Sequence, residues 1–256
     1  LPKSFLVLAP MDDVTDSAFR RVVAEVGKPY LFFTEFANVE GIFSAGNKTV
    51  MRKLFFTPQE QPLVAQLWGS EPENYYLAAK QVAKMGFSGV DINMGCPERS
   101  IVKKGCCAAL INNKPKAKEI IDAVKRGADG KIPVSVKTRI GVNTIITEDW
   151  CGFLLEQNLD ALTVHGRTVK EMSAVPAHWD EIKKVVELKT AMGKDSCIVG
   201  NGDVRSISEA KTRVAETGVD GIMIGRGIFE NVWVFNPEID NETVSLKERL
   251  VVLLRH

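Results

Sequence analysis

The 256-residue sequence predicts an α/β fold in which eight strand-then-helix units close into a (β/α)8 TIM barrel. Three observations carry that expectation. Apolar or β-branched runs alternate with segments whose apolar residues recur at helical spacing, eight times over about 230 residues. Several of the runs are continuously apolar, as expected of parallel strands covered on both faces. The turn after the first strand, Pro10-Met11, lacks the glycine fingerprint that a doubly wound open sheet carries there, so the barrel is preferred.

In order, the strands are read at Ser4–Ala9, Tyr30–Thr34, Pro62–Trp68, Gly89–Asn93, Pro133–Lys137, Asp160–His165, Ser196–Gly200 and Val219–Ile224. Asp16 is placed to cap a helix over Ser17–Glu25. Further helices are expected at Glu71–Met85, where Tyr76, Ala79, Val82 and Ala83 form the apolar stripe, and at Lys116–Lys125, Glu148–Gln157, Trp179–Leu188 and Ser206–Glu216. A short helix after Gly225-Arg226-Gly227 is expected to reach about Phe235. The segment Glu40–Thr57 is read as a helix and a hairpin over the barrel mouth, and the ten or so polar residues after Pro97 as an irregular loop outside the core. Residues 1–236 make the barrel domain. From 237 to 256 the pattern changes to one amphipathic helix, Val244–Leu254, read either as the beginning of a truncated helical domain or as a terminal helix packed on the barrel.

Composition limits the function. Apolar content of 45%, charged content of 25% and a net charge of +1 describe an ordinary globular chain, so a basic nucleic-acid surface would have to be local. No apolar run is long enough to span a membrane, and no signal peptide opens the chain. Cys96, Cys106, Cys107, Cys151 and Cys197 form no C-x-x-C pair and the histidines are scattered. Reduced thiols, a cytoplasmic setting and no metal site are therefore expected; a monomer is the expected state.

In a barrel of this kind the chemistry sits at the C-terminal strand ends. Those ends carry Gln66, Asn93 with Cys96, Lys137 with Arg139, His165 with Arg167, Asn201 with Asp203, and Arg226. Any one has a structural explanation; their recurrence at successive tips points to a polar, anionic ligand. Asn201-Gly202-Asp203 and Gly225-Arg226-Gly227 follow strands seven and eight, where this fold commonly holds phosphate on backbone N–H groups and a cation. Cys96, at a strand tip beside an Asn and a basic loop, suits a proton donor or nucleophile.

Taken together, these motifs resemble the dihydrouridine synthases, flavin enzymes that reduce uridines in transfer RNA. The matching stretches are Ala9-Pro-Met11 with Val14-Thr-Asp16, Gln66-Leu-Trp-Gly69, Asp91-Ile-Asn-Met-Gly-Cys-Pro97, Lys137-Thr-Arg-Ile-Gly141, His165-Gly-Arg-Thr168, Asn201-Gly-Asp203 and Gly225-Arg-Gly227. The resemblance implies FMN bound through Pro10, Met11, Asp12, Gln66, Lys137 and His165, with its phosphate on Asn201, Gly202, Asp203, Gly225 and Arg226. It implies Cys96 as the acid, Asn93, Arg139 and Arg167 as substrate contacts, NADPH or NADH as reductant, and tRNA as the partner. By the same likeness the residues after 237 would begin an RNA-binding helical domain.

The chain departs from the family pattern at Cys106-Cys107, where Gly and Ala are usual, and at Val169, Glu171 and Ser173, where Arg, Gln and Tyr are common. Cys106 and Cys107 are read as packing residues of the closing loop. Two alternatives stand beside this reading: an FMN-dependent dihydroorotate-type dehydrogenase acting on a free pyrimidine, and an RNA-binding relative without catalysis.

Overall fold

The computed structural model describes residues 4–256; the first three residues of the expected barrel domain lie outside that range. Eight parallel strands run β1 (Phe5–Leu8), β2 (Phe32–Asn38), β3 (Leu63–Trp68), β4 (Gly89–Met94), β5 (Val134–Arg139), β6 (Ala161–His165), β7 (Cys197–Asn201) and β8 (Gly221–Ile224). They are hydrogen-bonded in the order β1-β8-β7-β6-β5-β4-β3-β2. The seam between β1 and β2 closes through one bridge, Val7 to Leu31, flanked by bonds from Tyr30 N–H to the Leu6 carbonyl (2.9 Å) and Leu8 N–H to the Leu31 carbonyl (3.2 Å). The barrel is the expected one.

The helices are α1 (Ser17–Val26), α2 (Val39–Ile42), α3 (Lys48–Lys53), α4 (Pro72–Met85), α5 (Arg99–Val102), α6 (Lys114–Ala128), α7 (Thr147–Glu156), α8 (Trp179–Ala191), α9 (Ile207–Thr217), α10 (Gly227–Glu230) and α11 (Leu246–Arg255). Asp16 caps α1, accepting from Phe19 N–H at 2.8 Å. On α4 the buried residues are Tyr75, Ala78, Ala79 and Val82, so Tyr75 replaces the expected Tyr76 on the inward stripe. Tyr76 turns to cations instead, with Lys80 and Arg126 both over its ring. Helices α4 and α6 approach so closely that a Cβ on Gly127 would lie 2.3 Å from the Tyr76 carbonyl oxygen.

The core has two parts. One lies between sheet and helices; the other fills the barrel floor with Phe5, Val7, Phe33, Val64, Val199 and Met223. Above that floor, register aligns Gln66 with Asp91 and Asp91 with Ser135, setting a polar layer across β3, β4 and β5.

Four expectations are corrected. Strand β2 continues to Asn38, because a register shift between Phe33 and Phe36 lets Phe36–Asn38 pair with Gln66–Trp68. No hairpin forms within Glu40–Thr57, where the short helices α2 and α3 stand instead. The segment after Pro97 is not all outside the core: α5 and a 3₁₀ turn, Cys107–Asn112, follow, and Cys106, Cys107, Ala108, Leu110 and Ile111 are buried. Helix α10 stops at Glu230, where the Asn231 side chain accepts from Trp233 N–H at 3.0 Å and turns the chain.

Helix α11 begins with a capping box, Ser245 and Glu248 bonding each other's backbone N–H. It meets the barrel through Arg255–Glu25 (3.1 Å) and Arg249 over Trp233, while Leu246, Leu250, Leu253 and Leu254 stay exposed.

Candidate active site

The strand tips open into a cavity of about 690 Å³. It is lined by Pro10 and Met11 after β1, Lys137 and Arg139 on β5, His165 and Arg167 at β6, Asn201, Gly202 and Asp203 after β7, and Gly225 and Arg226 after β8. Four other expected site residues, Asp12, Gln66, Asn93 and Cys96, stand outside this lining.

One wall of the cavity is cationic. Lys137 makes no side-chain hydrogen bond or ion pair among the described residues, and burial, with Arg139 nearby, lowers its pKa to about 8. Burial, followed by Lys137, Arg139, Arg167 and Arg226, depresses His165 to about 2, so its imidazole is neutral. Arg167 Nη1 lies 3.3 Å from His165 Nε2. A guanidinium can only donate, so that nitrogen accepts and the ring proton sits on Nδ1. Arg167 is itself buried, donating to the Val175 carbonyl at 2.7 Å and to the Asp203 carboxylate. Burial would raise Asp203, but the Arg167 contact and the Ala177 N–H at 2.8 Å prevail and lower it.

The far end of the cavity suits an anion. Asn201 ties β7 to β8, its Nδ2 donating to the Met223 carbonyl at 2.8 Å. Gly202 has φ +138°, and a Cβ there would lie 2.5 Å from that of Ala177. Trp179 Nε1 donates to the Gly202 carbonyl at 3.1 Å, which fixes the turn. The backbone N–H groups of Asp203, Val204, Gly225 and Arg226 find no partner among the described residues. The Arg226 side chain is 66% exposed, 4.0 Å from Asp203 and otherwise free in the same sense. Unpaired backbone donors, an exposed guanidinium with only a long contact to Asp203, and an unpaired lysine across one cavity fit a ligand with a phosphate at one end and an electron-rich ring at the other.

Cys96 stands to the side, on the loop after β4, and is half-buried. Its thiol is lowered to about 7: the neighbouring Cys107 thiol favours the thiolate most, burial and the Glu98 charge oppose it, and the Glu98 backbone N–H and the Arg139 charge assist. Cys107 is fully buried at φ +52°, and its own thiol is pushed up by that contact and by burial. Cys106, by contrast, points its thiol at the Lys104 carbonyl, 3.7 Å away.

Arg139 joins the two sides, donating from Nε to the Gly95 carbonyl (3.0 Å) and from Nη1 to the carbonyls of Thr168 (3.1 Å) and Met172 (3.2 Å). Asn93 donates from Nδ2 to Gln66 Oε1 at 3.0 Å, and its Oδ1 accepts from the N–H groups of Gly95 (3.1 Å) and Cys96 (2.9 Å). One Asn93 N–H remains for a ligand; its oxygen is already committed. Gln66 is fully buried between Asn93 and Asp91. Asp12 reaches over the rim and pairs with Lys53 on α3.

At the departures from the family pattern, Glu171 folds back to accept from Thr168 N–H (2.7 Å) and meets His178 Nε2 (3.0 Å). Val169 packs on the core, and Ser173 lines the cavity. Asp91, Ser135 and Cys107 do not stand out in the sequence as site residues. The available signal is period two, which puts Asp91 on the same strand face as Asn93.

Residues 7–256 match the profile of the family described as Dihydrouridine synthase (Dus). The chain is 43% identical over 258 aligned residues to a "Probable tRNA-dihydrouridine synthase" of Staphylococcus aureus (strain MRSA252), covering all of this chain and 77% of that protein. It is also 43% identical to "Probable tRNA-dihydrouridine synthase 2" of Bacillus subtilis (strain 168), covering 78% of it. Among solved structures, a morphinone reductase in complex with tetrahydroNAD superposes with TM-score 0.58 at 13% identity, over 94% of this chain and 95% of that one. A DHODH from Eimeria tenella in complex with ferulenol gives TM-score 0.62 at 12% identity, over 88% and 76%. At such identities these two show the fold alone.

Proposed function

The chain belongs to the dihydrouridine synthase family, and from that premise we propose that it reduces uridine to 5,6-dihydrouridine in transfer RNA, using bound FMN recharged by a nicotinamide cofactor. The observation that carries this reading is the pairing of an anion-ready cavity, with Lys137 unpaired among the described residues and Arg226 held only by a 4.0 Å contact to Asp203, and a low-pKa thiol on the neighbouring strand tip. Family membership favours this reading over the dihydroorotate-type alternative, and turnover separates it from a relative without catalysis.

When bound, FMN supplies a hydride to C6 of the uracil ring. Asp203, Val204, Gly225 and Arg226 would hold its phosphate through backbone N–H groups and the Arg226 guanidinium. Lys137 would place a positive charge beside the flavin ring and stabilise negative charge there. Neutral His165, with Nε2 engaged by Arg167, would offer its Nδ1–H as a donor. Pro10 and Met11 would supply an apolar edge. Cys96 holds the proton that C5 requires, and a pKa of about 7 keeps both its forms populated near neutrality. Arg139 ties the loop of Cys96 to the loop after β6, so the acid and the substrate side of the mouth are fixed together. The target base lies inside a folded RNA and must be flipped out to reach the mouth. By the family likeness, residues 237–256 are proposed to belong to an RNA-binding part; the exposed leucines of α11 leave its apolar face open.

The test is stopped-flow reoxidation of photoreduced protein by unmodified tRNA. Cys96→Ala is expected to keep its flavin and the rate of flavin reduction by NADPH, yet to reoxidise with RNA about 10²–10⁴-fold more slowly. A protein with no affinity for FMN would overturn the proposal.

A further inference from the structure

Asp91 is a carboxylate with no solvent exposure, in the polar layer above the barrel floor. Its Oδ1 accepts from Ser135 Oγ at 2.6 Å and its Oδ2 from Gln66 Nε2 at 2.8 Å. From there one chain of bonds runs upward. Asn93 Nδ2 donates to Gln66 Oε1 (3.0 Å), and the N–H groups of Gly95 and Cys96 donate to Asn93 Oδ1 (3.1 and 2.9 Å). Burial raises Asp91 to about 6, against the Ser135 and Gln66 bonds, so at and above neutral pH it is mostly ionised; in that state the ends of this chain are fixed, since an ionised carboxylate only accepts and a backbone N–H only donates. Two amides laid between such ends can satisfy every bond in one orientation and no other.

We propose that Asp91, acting through Gln66 and Asn93, is a positioning residue for Cys96. The carboxylate anchors the donor end of Gln66. Gln66 then presents its oxygen to Asn93, and Asn93 turns its own oxygen onto the peptide that carries the thiol. The relay spans the height of the β4 tip and links the floor of the barrel to the loop of the acid. Its catalytic meaning rests on Cys96 being the proton donor; its structural content does not.

Four variants in the FMN-loaded protein test the relay, read by hydrogen exchange of the Gly95 and Cys96 amides. A second reading is the ratio of RNA-driven flavin reoxidation to NADPH-driven flavin reduction. Asp91→Leu keeps the shape and removes the acceptor; exchange at both amides is expected to quicken by about tenfold or more, and the ratio to fall by a similar factor. Asp91→Asn keeps one acceptor oxygen toward Gln66, with its amide donating to Ser135, and recovers most of what leucine loses. Gln66→Glu sets a second carboxylate against Asp91 and loosens the loop. Asp91→Asn added to Gln66→Glu lets the new carboxylate accept from both neighbours, so the double variant is tighter than the Gln66→Glu single. A role in packing alone predicts leucine and asparagine alike and no rescue. Either result in the exchange data overturns the proposal, and if Asp91→Leu does not fold, the rescue pair decides. Normal exchange behaviour with no RNA-driven reoxidation even in the parent would refute the proposed reaction and leave the relay standing.

Discussion

The neighbouring thiol of Cys107 is the largest influence bringing the Cys96 thiol down to about 7. Removing that neighbour removes stabilisation from the thiolate, so the pKa is expected to rise. Cys107→Ala should move the inflection of Cys96 alkylation by iodoacetamide upward from about 7, slowing the reaction several-fold at neutral pH. Cys106→Ala should leave the profile in place. Equal profiles in Cys107→Ala and parent would show the contact to be idle.

Lys137 offers a second pH test. Its ammonium is deprotonated as pH rises through about 8, because burial and Arg139 disfavour the charge. An anionic cofactor stabilises the protonated form, so FMN affinity is expected to fall above that pH and to hold steady below it. Fluorescence titration of the apoprotein measures this. Lys137→Met should bind more weakly and lose the dependence. Arg226→Ala should weaken binding by about tenfold at every pH, since its charge does not titrate there.

Gly202 is a third test. Its φ of +138°, and the 2.5 Å that would separate an added Cβ from that of Ala177, leave no room for alanine. Gly202→Ala is expected to distort the turn after β7, costing about 1–3 kcal/mol in strain and most of the FMN affinity. Gly225→Ala meets only the Ala9 Cβ, at 3.6 Å, and should fold normally. A Gly202→Ala protein that binds FMN like the parent would dissociate the turn from the phosphate site.

A fourth concerns stability alone. Arg20 and Glu60 form an ion pair at 2.6 Å with neither side chain exposed, and Arg20 also donates to the carbonyls of Thr15 and Phe55. Glu60→Ala strands a buried cation, which costs about 3–5 kcal/mol. Urea unfolding should show a lower midpoint that added salt does not restore, as no exposed charge is involved.

Much of this is readable from residue order. Apolar runs mark the strands because parallel strands covered on both faces tolerate few polar residues, and Asp16, Asn201 and Gly202 sit where their chemistry suggests. Glu35 and Asn38 hide the end of β2: both are polar, yet Glu35 is buried and accepts from Asp13 N–H at 2.8 Å. Asn93 is legible as a polar residue at a tip, but not as one whose oxygen is spent on its own loop. Cys107 looks like filler because a thiol's partner depends on a fold of the loop that no local pattern encodes. The side chain of Asp12, a residue expected at the cofactor, pairs with Lys53, a contact between segments 41 residues apart in sequence that no local pattern encodes.

The single bridge between Val7 and Leu31 gives the cylinder a line along which it can tear. Every other neighbouring pair is zipped over three or more residues. Opened there, the wall would uncurl as one sheet, with β1 leaving on the arm of β8 and β2 on the arm of β3. The turn bearing Pro10 and Met11 would then swing away together with Gly225 and Arg226, parting company with the lysine opposite. Local opening of this barrel is thus expected to begin at that seam, beside the turn of Pro10 and Met11.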